Sequence, residues 1–337
     1  MNIQEFARQI GVSTATVSRA LHKRGRISPA TRQMILERAK ELGYTPNLHA
    51  QRLVTGRSHM IALDYLGQAQ ILSDMFLVAL ARGIQQALQA HGYGLLLNLM
   101  VDPQQHDTLQ RQWVRSQAVD GLILVGGAEV DRAMLREVAA GDTPCVLISQ
   151  QPVEGVAHVG SVAVGLAHGA RQVARMLVEQ GHRCIGFLGS EIPDPVLAAF
   201  RAELQTLGAG LSEARVTIAG RTPEEGAQAM RQMLARRRRP TAVFARTDAL
   251  ALGALRAAKQ LSLRVPEDLS LVGHDDISAA EWTDPPLTTV RVDCLELGQA
   301  ATRMLVQLLK QPEIRPDPCE VHTELVQRAS VAAPGGR

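Results

Sequence analysis

The sequence predicts an α/β protein with a small helical head and two doubly wound parallel-sheet subdomains. Two observations lead there. Positive charge gathers at the front: residues 1–60 hold ten Lys/Arg against three acids, net +7, while the remainder holds 26 against 30, net −4. From Met60 onward, short apolar runs alternate with stretches of helical period, and that alternation implies parallel sheets with right-handed crossovers. At 337 residues the chain has room for more than one buried core. Its 46% hydrophobic and 20% charged residues are the balance of a globular protein.

The head reads as three short helices. Ile3, Phe6, Ala7 and Ile10 place an apolar face on the first. Gly11 supplies a turn, and Ser13 can cap the second helix by accepting a free backbone N–H. Val17, Ala20 and Leu21 line one face of that helix; Thr14, Ala15, Ser18 and Arg19 line the other. Ser28 caps the third helix with Pro29 at its first position, Ile35, Ala39 and Leu42 form its apolar series, and Gly43 ends it. Two short helices joined by a Gly-containing turn make a helix-turn-helix, whose second helix enters a DNA major groove. An ordinary helical hairpin is the alternative, but a basic head on a mildly acidic body suits phosphate binding by the head.

A stretch of about two turns follows, opened by Asn47 after Pro46 and closed by Gly56. It is too short to be a stable helix alone and would fold only against a partner. The expected boundaries are therefore residues 1–46 for the head, 47–58 for hinge and linker, and 59–337 for the core.

In the core, strands are expected at Ile61–Tyr65, Gly94–Met100, Gly121–Val125, Cys145–Ile148, Cys184–Leu188, Thr241–Phe244 and Leu269–Val272. Helices are expected at Phe76–His91, His106–Gln117, Val130–Ala140, Ala167–Gln180, Leu197–Leu207, Thr222–Arg236 and Ala249–Leu261. Ligands of such folds bind in the crevice at the carboxyl ends of the strands.

Several function classes drop out. Cys145, Cys184, Cys294 and Cys319 are far apart in sequence and form no metal or redox pair, so free thiols in a reducing cytoplasm are expected. No basic-then-apolar signal segment opens the chain, and no apolar run approaches the ~20 residues that span a bilayer. There is no phosphate-binding G-x-x-x-x-G-K-[ST] and no G-x-S-x-G. Gly208-Ala209-Gly210 follows a helix and not a strand, which removes it as a dinucleotide fingerprint. Arg236–Arg239 reads as a solvated helix end. His274-Asp275-Asp276 is the most charged point at a strand end; adjacent strand residues face opposite ways, so a single ligand-binding Asp is more economical than a metal or acid/base pair. No enzymatic role and no cofactor are expected.

In this order, the motifs resemble the lactose-repressor/galactose-repressor family along nearly the whole chain. Gly11-Val12-Ser13 through Thr16-Val17-Ser18-Arg19 resembles its recognition helix, and Gly43-Tyr44-x-Pro46-Asn47 with Ala50-Gln51-x-Leu53 its hinge. Asp120–Leu124, Gly181–Ile185, Asp248-x-x-Ala251-x-Gly253-Ala254-Leu255, Val265–Asp276 and Pro285–Val290 resemble its core. The resemblance implies a periplasmic-binding-protein-like core and a homodimeric regulator, a repressor, reading a near-palindromic double-stranded operator under control of a small metabolite of the sugar class. It implies DNA contacts from Ser13, Thr14, Ala15, Thr16, Ser18 and Arg19. It also implies a hinge, with Asn47, Ala50, Gln51 and Leu53, that folds on DNA and wedges Leu53 into the minor groove, where an apolar wedge offsets unstacking with a bend.

The effector positions depart from the family. Gly165-Leu166 stands where Asp-Asn is usual, Val196 where an Arg often holds a sugar hydroxyl, and Thr247 where Asn is usual. Asp275 is retained, Phe76 matches an aromatic that packs on the ligand, and Arg221 and Arg246 add positive charge. An anionic effector, or a pocket that binds none, are the alternatives to a neutral sugar.

Overall fold

The structure is a computed structural model that describes residues 1–21, 26–44, 56–65, 75–98, 113, 116–126, 143–149, 159–189 and 194–335. The head contains α1 (Ile3–Gln9), α2 (Thr14–Leu21) and α3 (Pro29–Glu41). Asn2 and Glu5 form a reciprocal cap at the start of α1. Ser13 Oγ accepts from Thr16 N at 3.1 Å and Ser28 Oγ from Thr31 N at 3.0 Å, so both expected caps are made. Gly11 takes φ +73°, a conformation glycine adopts without strain, at the turn into α2. Phe6, Ala7, Val17, Ala20, Ile35, Ala39 and Tyr44 close the small core, with Phe6 and Tyr44 stacked at 4.3 Å. Leu42, expected in the α3 series, stays exposed at the helix end.

The rest of the described chain runs β1 (Met60–Tyr65), α4 (Met75–Gln89), β2 (Gly94–Asn98), β3 (Gly121–Val125), β4 (Cys145–Ser149), β5 (Val159–Gly165), α5 (Leu166–Glu179), β6 (Ile185–Gly189), α6 (Pro195–Thr206), β7 (Val216–Ile218), α7 (Pro223–Leu234), β8 (Ala242–Ala245), α8 (Asp248–Gln260), β9 (Ser270–Val272), α9 (Ser278–Glu281), β10 (Thr289–Val292), α10 (Cys294–Lys310) and β11 (Cys319–Val326). All seven expected strands form, within two residues at each described end; Leu99 and Met100 lie outside the described residues. The helix expected at Val130–Ala140 and most of that at His106–Gln117 also lie outside them.

Two sheets result. The larger has the order β10-β11-β5-β4-β3-β1-β2, parallel except for β10 against β11; the smaller has the order β7-β6-β8-β9 and is all parallel. β5, β7, α9, β10, α10 and β11 were not among the expected elements. Their presence shows that the chain crosses between sheets more than once: β10 and β11 return to the first sheet after the second has been built. Single bridges Val272↔Thr288 and Asp275↔Arg291 continue the β9 edge into the approach to β10.

Glycines let the covering helices touch. A Cβ on Gly298 of α10 would lie 2.7 Å from Ile84 N in α4, and one on Gly253 of α8 would lie 1.9 Å from Pro223 O at the start of α7. No described helix is long and apolar enough to cross a membrane, and the four cysteines form no disulfide among the described residues.

Candidate functional site

Among the described residues, two regions stand out for their chemistry. The first is the outer face of α2. Val17 and Ala20 are fully buried and fix the helix on the head core. That leaves Ser13, Thr14, Ala15 and Arg19 exposed, with Thr16 and Ser18 half-buried between them. Ser13 and Thr16 hydroxyls lie 2.8 Å apart, so the helix N-terminus presents a rigid polar edge. Arg8, Arg26, Arg38 and Lys40 are also exposed on the head. Short polar side chains beside a cation, on a helix thin enough for a major groove, can read base edges and neutralise phosphate. Asn47, Ala50, Gln51 and Leu53 lie outside the described residues.

The second region is the carboxyl ends of β6, β8 and β9. Asp194 caps α6, accepting at Oδ1 from Val196 N at 2.9 Å and Leu197 N at 3.4 Å. Arg246, just past β8, stands with Nε 3.4 Å from the same oxygen; its side chain is 10% exposed and that of Asp194 1%. Thr247 caps α8 by accepting from Leu250 N at 3.2 Å. His274 is fully buried, and burial lowers its pKa although the bond to Asp275 opposes that. A neutral ring whose Nδ1–H donates to Asp275 Oδ1 at 2.9 Å leaves Nε2 as a bare acceptor. In this region Arg246 Nε, Asp194 Oδ2 and His274 Nε2 are buried without a hydrogen-bond partner, although Arg246 and Asp194 form an ion pair. Orphaned polar atoms of this kind are costly, and a cluster of them marks functional ground.

The two neighbouring acids part ways, but not by the strand alternation expected: β9 ends at Val272 and both lie beyond it. Asp276 takes Arg291 Nε and Arg328 Nη2, each at 2.7 Å, and is a clamp between crossing segments. Asp275 keeps 23% of its side chain exposed at the crevice. Both sit at positive φ, +112° and +54°, a backbone strain that only a well-determined surround maintains. Gly273 is required beside them: a Cβ there would lie 2.0 Å from Asp248 Oδ1.

Of the other expected effector residues, Phe76 is half-buried against the main core, Val196 is wholly buried within it, and Arg221 is exposed where its N donates to Glu225 Oε2 at 2.9 Å. α5 starts at Leu166 without a side-chain cap from Gly165. The sequence reading did not assign Asp194 or Asp248 to the crevice. Asp194-Pro195 is a helix-start signature that could have found the first. Asp248 is buried, accepting from Thr289 Oγ1 at 2.6 Å and Ile277 N at 2.9 Å. Burial first, and the Asp275 charge second, push its carboxyl up to about 8.

Similarity to known proteins is extensive. Residues 2–47 match bacterial regulatory proteins of the lacI family, and residues 174–331 match a periplasmic binding protein-like domain. The HTH-type transcriptional regulator GalS of Salmonella typhimurium is 33% identical over 98% of this chain and 97% of its own. The chain belongs to the lacI family. Within the family, the HTH-type transcriptional repressor PurR of Proteus mirabilis is 31% identical over 98% of this chain and 96% of its own. The lac repressor dimer bound to operator and the anti-inducer ONPF superposes with TM-score 0.82 at 26% identity, covering 99% of both chains. The transcriptional regulator CelR–cellobiose complex gives 0.74 at 28%, covering 98% of this chain and 99% of that one. These lacI-family relatives are transcriptional regulators, not enzymes, and the chain is accordingly a DNA-binding transcriptional regulator.

Proposed function

We propose that this regulator is a repressor that holds a near-palindromic operator as a homodimer and is switched by a small polar metabolite in the crevice between its sheets. The observation that carries the reading is the coexistence of two surfaces in one chain: an exposed α2 face on a head whose residues 1–46 hold eight Lys/Arg against three acids, and a crevice where Asp275 is presented beside buried, orphaned polar atoms. Base-edge and phosphate contacts come from Ser13, Thr14, Ala15, Thr16, Ser18 and Arg19, with Asn47, Ala50, Gln51 and Leu53 joining in the minor groove. Two heads related by a two-fold axis read two half-sites, which makes the operator mirror the dimer. The lac repressor dimer on operator, similar over the full length, supports this arrangement.

The Val196 side chain offers no hydrogen bond, and the Thr247 hydroxyl is engaged in capping α8. Asp275, whose side chain keeps 23% of its surface exposed while the acceptors Asp194 Oδ2 and His274 Nε2 are buried, is therefore the acceptor within reach of a ligand hydroxyl or amine. Cellobiose in the CelR complex supports a sugar or sugar derivative. An anionic effector is the second reading, favoured by Arg246, whose Nε pairs with Asp194 at 3.4 Å but makes no hydrogen bond. The test selects duplexes from a random pool with the purified chain, measures its mass on the selected duplex by sedimentation, and screens sugars, sugar phosphates and nucleobases by thermal shift. Symmetric sites bound by two chains, with one compound class raising the melting temperature, are expected. Asymmetric sites bound by one chain would overturn the dimer, and no shift from any class would leave regulation without a small molecule.

A further inference from the structure

We infer that Asp120 is a positioning residue for operator binding: its carboxylate, helped by Arg57, fixes where and in which direction the DNA-binding segment leaves the core. This rests on the reading above that two copies engage a symmetric site. Asp120 lies immediately before β3 and accepts three hydrogen bonds from residues upstream of β1: Ser58 N at 2.7 Å, Ser58 Oγ at 2.8 Å and His59 N at 3.0 Å. Starting β1 does not require them. The ladder is already supplied by Asp120 N to Met60 O at 2.8 Å on one side and Gly94 N to His59 O at 2.9 Å on the other. The carboxylate acts instead on the incoming chain. It holds His59 at φ +54°, a left-handed conformation that a side chain of this size leaves unless it is held.

Arg57 adds a second tether. Its Nη2 donates to Leu309 O at 3.4 Å in the last turn of α10, where a cation meets the negative end of the helix dipole. It also hydrogen-bonds the Tyr93 side chain, and the His59 ring lies 5.7 Å from that of Tyr93. α10 runs unbroken for 17 residues, about 25 Å at the helical rise. It begins two residues after β10, whose Arg291 grips Asp276 at the crevice. One stiff rod thus joins the crossing strand at the crevice to the exit of the linker. A displacement of the larger sheet is passed to the head only if that exit is rigid, and Asp120 makes it rigid.

Spacing between half-sites reads this rigidity, because a loosely tethered head tolerates a shifted site whereas a fixed one does not. Duplexes selected by the full-length wild-type chain are compared, by fluorescence anisotropy, with the same duplexes carrying one extra base pair at the centre. The wild type is expected to lose about tenfold in affinity on insertion, and Asp120→Ala to lose no more than about threefold while binding the unaltered site at least about fivefold more weakly than wild type. Binding to an unrelated duplex stays within about twofold, since the head is untouched. Exchange of the Ser58 and His59 amides speeds up. Asp120→Asn keeps the volume but leaves one acceptor oxygen for three donors, and it is read the same way should the alanine variant fail to fold. Retention of the tenfold spacing discrimination in either folded variant overturns the proposal. Failure of the wild type to select symmetric DNA overturns the parent reading first, and the two failures are told apart by that wild-type control.

Discussion

At the scale of the residue, Arg19 and Asp248 carry the sharpest expectations. Arg19 is exposed on the outer face of α2, so on the proposed reading Arg19→Ala should weaken operator binding and flatten the log-affinity against log-salt slope by about one unit. Titrations at several salt concentrations give both numbers; an unchanged slope would remove Arg19 from the phosphate contacts. Asp248 faces Asp275 and Asp276, with Thr289 and Ile277 as its hydrogen-bond donors. Its folded pKa of about 8 lies above the ordinary 3.8, so its contribution to stability is complete below pH ~4 and is lost as pH rises to ~8. Buried His274 acts with the opposite sign: its lowered pKa costs stability as pH falls below the ordinary 6.5. Asp248→Asn should therefore be more stable relative to wild type at pH 8 than at pH 5, by about 1 kcal/mol or more. Urea unfolding at the two pH values measures the difference, and parallel pH profiles would place the Asp248 proton elsewhere. These acids also mark how far the crevice was legible. The strand-end position of Asp275 is written in the local pattern. The pairing of Arg246 with Asp194 joins residues 52 positions apart in sequence, and no period encodes it. His182 in the Gly181-His182-Arg183 motif is structural: its ring lies 2.9 Å from both Thr241 Oγ1 and Ala332 O.

At the scale of the element, close helix packing is the vulnerable feature. In isolation, Gly253→Ala would favour α8 by about 1 kcal/mol of helix propensity. The new Cβ would lie 1.9 Å from Pro223 O, a backbone atom that moves only if α7 moves with it. Overpacking of this kind costs about 1–3 kcal/mol, so the clash wins and the urea midpoint should fall. A Cβ on Gly210 would meet nothing within 4 Å, and the backbone there has no positive φ, so Gly210→Ala should leave the midpoint unchanged or slightly raised. Equal midpoints for the two variants would show that α7 and α8 separate freely. Elements with clear periodicity were legible: the head helices carry their caps, and apolar runs such as Gly121–Val125 became strands with the expected bounds. α10 was legible as well: Glu296, Gln299, Arg303, Gln307 and Lys310 recur at steps of three and four opposite its 11 buried residues, a helical period that the reading of the core, ending at Val272, did not reach. β5 was hidden by Gly160, Ser161 and Ala163 within its run. β11, with Glu320, His322 and Glu324 facing out, is a half-exposed strand that returns late in the chain and takes its meaning from a distant partner, β5.

At the scale of the whole molecule, the proposed function requires that a crevice ligand alter the grip of the heads. A ligand shifts a conformational equilibrium only by its difference in affinity for the two states. The segment carrying Asp275 is where such a difference acts: Asp275 bridges to Arg291, and neighbouring Asp276 clamps Arg291 and Arg328, so crevice and crossing strands share one set of contacts. Asp275→Asn keeps the shape and an oxygen to accept from His274 Nδ1, while placing an NH2 donor where the ligand would meet an acceptor. Operator affinity without ligand should stay within about threefold of wild type, because the fold-bearing hydrogen bond survives. The change in operator affinity produced by the compound that shifts melting most should shrink by tenfold or more, about 1.4 kcal/mol of coupling. Anisotropy titrations of selected DNA with and without that compound supply both quantities. A mutant that responds as wild type does makes Asp275 a partner of His274 alone and moves the ligand's acceptor elsewhere in the crevice. A mutant that releases DNA without any compound makes Asp275 part of the conformational balance itself, and the crossing segment, not the ligand contact, is then what sets the spacing of the heads.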